Sequence, residues 1–203
     1  EECDQTIKAL SEHNVGTILD YSVEGKDETI EFERCKEETI ATIKKASQNE
    51  NIPFSVFKMT GLASNNLFEE ASNNVEGASK LKGYKEFEER VNQICKAAYD
   101  MNVPVFIDAE ETWLQPAMDK LATEMMEQYN VKSAVVYNTV QLYTKRGLGA
   151  TQEAIDHAKS KNYIAGLKLV RGAYMEKERE RAAKNGYPSP IQDTKEDTDR
   201  DLS

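Results

Sequence analysis

Residues 103–110, VPVFIDAE, are an apolar run that stops abruptly on acidic side chains. There is no alternation in Val103–Ile107, so the run reads as a strand buried on both faces, which implies a parallel strand covered by helices. On its N-terminal side lies YKEFEERVNQICKAAYDMN (84–102), where Phe87, Val91, Ile94, Cys95 and Ala98 share one helical face. On its C-terminal side a further helix is predicted over 114–129. Helix, buried strand, helix is the unit from which α/β folds are built.

The same unit recurs in both directions. Upstream, IPFSVFKMT (52–60) follows the amphipathic stretch FERCKEETIATIKKASQ (32–48), in which Phe32, Cys35, Thr39, Ile40 and Ile43 recur at helical spacing. Before that comes GTILDYSV (16–23). Downstream, SAVVYNTV (133–140) precedes a helix predicted at about 150–161, and YIAGLKLVRG (163–172) precedes one at about 174–185. Five β-α units fill residues 1–203 as one domain, with no linker between them. The Asn/Ser/Gly-rich stretch 61–83 reads as a long loop of the kind that forms a lid or a disordered segment. From Gly186 onward the chain is polar, and Pro188 and Pro190 stop the last helix.

Composition narrows the function classes. The 203 residues carry 26 basic and 36 acidic side chains, a net charge of −10, which argues against a nucleic-acid partner. No apolar run approaches the roughly 18–20 residues that cross a bilayer, and EECDQTIKAL at the start has no signal-peptide pattern. Cys3, Cys35 and Cys95 are widely spaced and only His13 and His157 accompany them. Neither a disulfide framework nor a metal site is expected, and Cys95 falls on a core stripe. GLGAT (147–151) lacks the third glycine of a dinucleotide fingerprint and follows the fourth strand rather than the first.

Two architectures accept five β-α units. Length favours an open five-stranded sheet of the flavodoxin type, since a (β/α)8 barrel typically needs about 250 residues. The strand ends favour the barrel. Each carries polar groups at its C-terminal side: Asp20, Tyr21 and Glu24; Lys58 and Thr60; Asp108, Glu110 and Glu111; Asn138, Gln141 and Tyr143; Lys168, Arg171 and Tyr174. An open sheet concentrates such groups at one switch point, whereas a barrel mouth uses every strand end. On the residues alone, Lys58 also reads as a lysine snorkelling to solvent, Asp108 as a cap and Tyr174 as a ring packed under the last helix. Glu110 and Glu111 stand between site wall and solvent, and Tyr143 between core and pocket wall. Trp113, Met125 and Met126 read as packing between helix and sheet.

These strand ends are also recognisable. LKLVRGAYMEKERERAAKNGY (167–187) resembles the proline dehydrogenase segment in which a basic-x-x-basic-Gly-Ala-Tyr strand end opens an acidic and basic helix. VPVFIDAEETWLQPAMD (103–119), NTVQLYTKR (138–146), FSVFKMTGL (54–62) and DYSVEG (20–25) resemble the same family's other strands in order, and the Lys-Leu-Val-Arg-Gly-Ala-Tyr form is similar to its monofunctional branch. The resemblance implies a distorted (β/α)8 barrel, here incomplete at about five units. It also implies FAD, and oxidation of L-proline to Δ1-pyrroline-5-carboxylate by hydride transfer from proline C5 to flavin N5. Electrons would then pass to a quinone or another membrane acceptor.

Carried onto this sequence, the resemblance makes Lys58, Asp108 and Tyr174 catalytic: Lys58 for the substrate carboxylate, Asp108 beside the flavin and Tyr174 in the proline pocket. Asp108, Gln141, Lys168, Arg171, Gly172 and Ala173 become cofactor-binding residues. The family's further strands, with a pair of arginines for the proline carboxylate, have no counterpart, and no Arg-Arg pair occurs in the chain. The expectation is therefore an N-terminal portion of the catalytic domain, inactive when alone. The location implied is bacterial cytoplasm with peripheral inner-membrane contact, or the mitochondrial matrix side. Two alternatives stand beside this: a barrel-derived ligand-binding or assembly module without catalysis, and an aldolase-type barrel using Lys58 or Lys168 as a Schiff base.

Overall fold

The apolar runs become five short parallel strands. A computed structural model describes residues 2–21 and 29–203. Its strands are β1 (Ile18–Asp20), β2 (Phe54–Phe57), β3 (Val105–Ile107), β4 (Val136–Gln141) and β5 (Leu167–Val170). They form one sheet in the order β1-β2-β3-β4-β5, parallel throughout. This order adds each new strand to the same edge, as in a barrel wall. A flavodoxin sheet reverses direction, with order 2-1-3-4-5, so the open sheet that length favoured is overturned by the strand order. Strand one is shorter than GTILDYSV suggests, and Glu24 lies outside the described residues.

The helices cover the side of the sheet opposite the aromatic residues Phe54, Phe106 and Tyr137. Helix α1 (Glu2–Ser11) precedes β1, α2 (Thr29–Ser47) lies between β1 and β2, and α4 (Tyr84–Met101) enters β3. The predicted stripes are buried apart from Ile40, which packs part-buried against the core. Phe32, Cys35, Thr39 and Ile43 point inward from α2, as do Phe87, Val91, Ile94, Cys95 and Ala98 from α4. Each fully buried Phe, Ile or Val of this kind contributes about 1.5–3 kcal/mol. Helix α4 ends on Asn102 in the left-handed region, where asparagine is tolerated and the chain turns back into β3.

Stretch 61–83 is not a disordered loop. Helix α3 (Asn65–Asn73) starts on Ser64, whose hydroxyl accepts from the Leu67 N–H at 3.3 Å, and it buries Phe68 and Ala71. A 3₁₀ segment (Val75–Lys80) follows, begun by Asn74 accepting from the Gly77 N–H at 3.2 Å. Asn and Ser here cap helices, the role for which they are favoured. Ser72 pins α3 to α5 (Gln115–Tyr129): its hydroxyl donates to the Leu114 carbonyl at 2.8 Å and accepts from the Ala117 N–H at 3.1 Å.

Helix α6 (Gly147–Lys161) starts three residues before its predicted bound. A Cβ on Gly147 would sit 2.7 Å from the Gln141 carbonyl, so this glycine allows the helix to approach β4. After β5 comes α7 (Met175–Asn185). The polar tail then forms α8 (Lys195–Leu202), started by Thr194, which accepts from the Asp197 N–H at 3.1 Å. Met125 and Met126 are core, as are Cys35 and Cys95, whereas Cys3 is exposed.

Candidate functional site

Paired residues of parallel strands share a face of the sheet, so register decides which side chains meet. Asp20 pairs with Val56, Val56 with Phe106, Phe106 with Tyr137, and Thr139 with Lys168. Alternation along each strand then places Asp20, Phe54, Phe106, Tyr137, Thr139, Gln141 and Lys168 on one face. Lys58 continues β2 in extended conformation (φ −108, ψ 131), and Asp108 continues β3 by donating its N–H to the Phe57 carbonyl at 3.0 Å. Both therefore keep to the same face, which is turned away from the helices.

Aromatic rings floor this face. Phe54 and Phe106 stack with centroids 4.5 Å apart, and Tyr137 meets Phe106 edge-on at 5.5 Å. Above them the Lys168 ammonium donates to Asp108 Oδ1 at 2.5 Å and lies 5.2 Å from the Phe106 ring centre. Two of its three N–H groups remain beyond this bond. Beside it the Thr139 hydroxyl is buried with no hydrogen-bond partner.

A second cluster centres on Glu110, which is 3% exposed. One carboxylate oxygen accepts from the Thr60 hydroxyl at 2.7 Å, and the other from the Tyr174 hydroxyl at 2.6 Å. Burial pushes the Glu110 carboxyl above its ordinary value, against the pull of these two hydroxyls and of the Lys58 charge. The backbone of Glu110 is used as well. Its carbonyl accepts from Gln141 Nε2 at 2.8 Å and its N–H donates to Gln115 Oε1 at 2.8 Å. Gln141 Oε1 accepts from the Ala173 N–H at 3.1 Å, closing a ring of contacts from β3 through β4 to the end of β5.

Tyr143 is buried, and its hydroxyl accepts from the Tyr174 N–H at 3.2 Å. Burial drives that phenol up to about 12. Gly172 lies against the Tyr143 ring at φ +142, where a Cβ would come within 2.3 Å of the ring. Only a glycine suits both the angle and the space.

The structure thus gathers Lys58, Asp108, Gln141, Lys168 and Tyr174 at one mouth. Arg171 is not brought there: its guanidinium turns outward to Asp199 of α8, with Nε to Oδ1 at 2.7 Å. The two neighbouring glutamates also part. Glu110 faces the mouth, while Glu111 pairs with Lys177 of α7 at 2.9 Å. Trp113 receives the Arg181 guanidinium over its ring at 4.4 Å.

Sequence reasoning passed over Glu178, which is fully buried and clamps α7 onto the loop after β3. It accepts from the Thr112 N–H at 2.6 Å and from the Thr112 hydroxyl at 2.7 Å. Its spacing from Tyr174 and Ala182, four residues each way, was the available signal. A cavity of about 580 Å³ between α5, α6 and β4 is lined by Asp119 and also by Thr139 and Gln141, while Lys58, Asp108 and Lys168 do not line it. Among the described residues no group of three His, Cys, Asp or Glu could hold a metal ion, and no helix is long and apolar enough to cross a membrane.

Known proteins share both the sequence and the sheet. The chain is 32% identical over 180 residues to the carbapenem antibiotics biosynthesis protein CarD of Pectobacterium carotovorum subsp. carotovorum, covering 88% of this chain and 48% of that one. It is 45% identical over 109 residues to proline dehydrogenase 1, mitochondrial, of Drosophila melanogaster, covering 54% of this chain and 16% of that one. The chain therefore spans less than half the length of these relatives. Among solved structures, proline utilization A from Bdellovibrio bacteriovorus superposes with a TM-score of 0.82 at 16% identity, over 97% of this chain and 22% of that one, which establishes a shared fold. Residues 3–202 match the proline dehydrogenase family model, and the chain belongs to that family.

Proposed function

We propose that this chain serves the FAD-dependent oxidation of L-proline, as the N-terminal portion of a proline dehydrogenase barrel domain spanning 1–203. The observation that carries the reading is the convergence of Lys58, Asp108, Gln141, Lys168 and Tyr174 on one face in a chain of this family. Lys58 binds the substrate carboxylate. Desolvation over the aromatic floor strengthens such a pairing relative to water. Tyr174 lines the pocket for the ring. Asp108 orients Lys168 through their ion pair, so that the ammonium stands at a fixed place above Phe106.

The groups on this face fit the ring end of a flavin. Lys168 keeps two N–H donors, Thr139 has an orphaned hydroxyl, and Gln141 retains one N–H and one lone pair beyond its protein partners. Gly172 and Ala173 belong to the same set through the strand-end backbone, and Arg171 joins it if its guanidinium leaves Asp199. A bound flavin supplies the two-electron acceptor that the protein's own side chains lack. Re-oxidation by a quinone at a membrane surface completes the scheme. Relatives named as mitochondrial support a mitochondrial location.

The test uses the enzyme that carries this chain. Proline should reduce an artificial electron acceptor, and Lys58→Ala should raise the KM for proline about ten- to a hundredfold, the loss of a charge-assisted hydrogen bond. Lys168→Met should weaken FAD binding, read as quenching of flavin fluorescence. An enzyme without proline-dependent turnover, or with an unaltered KM in Lys58→Ala, defeats the reading. A second reading is favoured by the 32% identity to a protein named for carbapenem biosynthesis: the same oxidation serves a biosynthetic step on a related ring carboxylate. Turnover of such a ring in preference to proline would select it.

A further inference from the structure

We propose that Glu110 is the positioning residue of this mouth, holding the Tyr174 hydroxyl as a donor to itself so that the phenolic oxygen accepts from the substrate amine. The proposal rests on the assignment of the mouth to proline and adds how the amine end is selected.

A buried carboxylate is expensive unless its oxygens are hydrogen-bonded. Glu110 is 3% exposed, and each of its oxygens is committed to one hydroxyl. An ionised carboxylate has no proton to give. Thr60 and Tyr174 must therefore both donate to it, which fixes the direction of both bonds. The half-buried Tyr174 then offers only lone pairs to anything that enters. Those lone pairs match a ring ammonium, while Lys58 matches the carboxylate of the same small zwitterion. Glu110 touches neither end of the substrate. It acts through Tyr174.

The titratable and charged groups around Glu110 are Tyr174 ahead of α7, Lys58 beyond β2 and Glu111 on its own strand end. Lys58 favours the ionised form, and Glu111 opposes it. Protonation of Glu110 gives it an O–H that must donate in turn, so one of the two hydroxyls has to reverse. Proline affinity should therefore fall on the acid side.

The experiment compares Glu110→Gln, Tyr174→Phe and the double variant in the complete flavin-loaded enzyme. Two ligands are used, proline and cyclopentanecarboxylate, which has the ring and the carboxylate but no amine. Glu110→Gln should raise the KM for proline about tenfold, the loss of one hydrogen bond to a charged partner, with kcat little changed. The calorimetric dissociation constant of cyclopentanecarboxylate should stay as in the parent. The acid limb of kcat/KM should disappear, the melting temperature should not fall, and the double variant should be no worse than Tyr174→Phe alone. Additive effects in the double variant, equal loss of both ligands, or a parental pH profile in Glu110→Gln would overturn the proposal. Unchanged proline kinetics in Tyr174→Phe would instead remove the assignment of the mouth on which it rests. If Glu110→Gln does not fold, Tyr174→Phe carries the test: its acid limb vanishes if Glu110 acts through the tyrosine, and persistence of that limb overturns the idea.

Discussion

Asn130 is fully buried where α5 ends, and its single carboxamide serves both neighbouring strands. Its Nδ2 donates to the Val136 carbonyl at 2.8 Å and the Ile164 carbonyl at 3.0 Å, and its Oδ1 accepts from the N–H groups of Val135 and Val136, both at 2.9 Å. Truncation to Ala leaves four backbone groups seeking partners, three of them in buried bonds and that of Ile164 part-buried, at about 1–3 kcal/mol for each buried one that stays unsatisfied. Asn130→Ala should accordingly shift the urea midpoint well below the parent, and an unshifted midpoint would mean that water replaces the amide without loss. Gly172 and Gly149 give opposite expectations for the same substitution. Gly172→Ala combines a positive φ with a clash on the Tyr143 ring and should cost about 1–3 kcal/mol or more. Gly149 lies inside α6 with open space where a Cβ would go, and Ala there should add about 0.5–1 kcal/mol. Thermal unfolding of the two variants checks the pair, and equal signs would refute the account. Lys58, Asp108 and Gln141 were legible as strand-end groups because the end of an apolar run is a local signal, whereas Lys168 is the second residue of β5 and not its end, and the face all four share follows from register between strands. Asn130 was not, since one of its partners is 34 positions away. Nor was the outward turn of Arg171, whose partner Asp199 belongs to a helix hidden in a polar tail.

Between elements, the contact of α2 with α4 is organised around Arg90, which is 6% exposed. Its Nε donates to Glu33 at 2.6 Å, its Nη1 to the Leu62 carbonyl at 3.1 Å, and its guanidinium lies 5.6 Å from the Phe32 ring centre. Lys36 first, and then Arg90, hold the Glu33 carboxyl below its ordinary value, against the opposing effect of burial. A carboxylate with a lowered value stabilises the fold above its ordinary titration near 4.5 and loses that contribution as pH falls through the lowered value. Parent stability should therefore drop on acidification below this range. Glu33→Gln should start about 1–2 kcal/mol lower at pH 7, because solvent screens the half-exposed Glu33, and should show less of the drop. Denaturant midpoints at pH 7 and pH 4 measure both, and parallel curves would dissociate Glu33 from acid stability. The helices themselves were legible where their stripes were apolar, as in α2 and α4. Helices α3 and α8 were hidden because Ser64 and Thr194 start them within polar stretches, where cap residues look the same as loop residues.

For the molecule as a whole, the sheet order leaves β1 and β5 as edges, each paired on one side among the described residues. Edge strands with unpaired backbone groups are templates for association, and apolar side chains lie beside both: Ile18 is 46% exposed, and Leu169 and Ile164 are 45% and 42% exposed. A net charge of −10 works against association at low salt, where repulsion between copies is least screened. The 203-residue chain on its own should consequently self-associate in a concentration-dependent way, more strongly at about 0.5 M salt than at about 0.05 M, because the Debye length shortens. Leu169→Lys puts a charge on the β5 edge at a position that already meets solvent, so it should shift the chain toward monomer without lowering its melting temperature. Light scattering over a concentration series at the two salt levels separates the cases. If the chain stays monomeric in both, the exposed edges are not its association surface. If Leu169→Lys associates like the parent, the contact lies away from β5, at the β1 edge or across the aromatic face formed by Phe54, Phe106 and Tyr137.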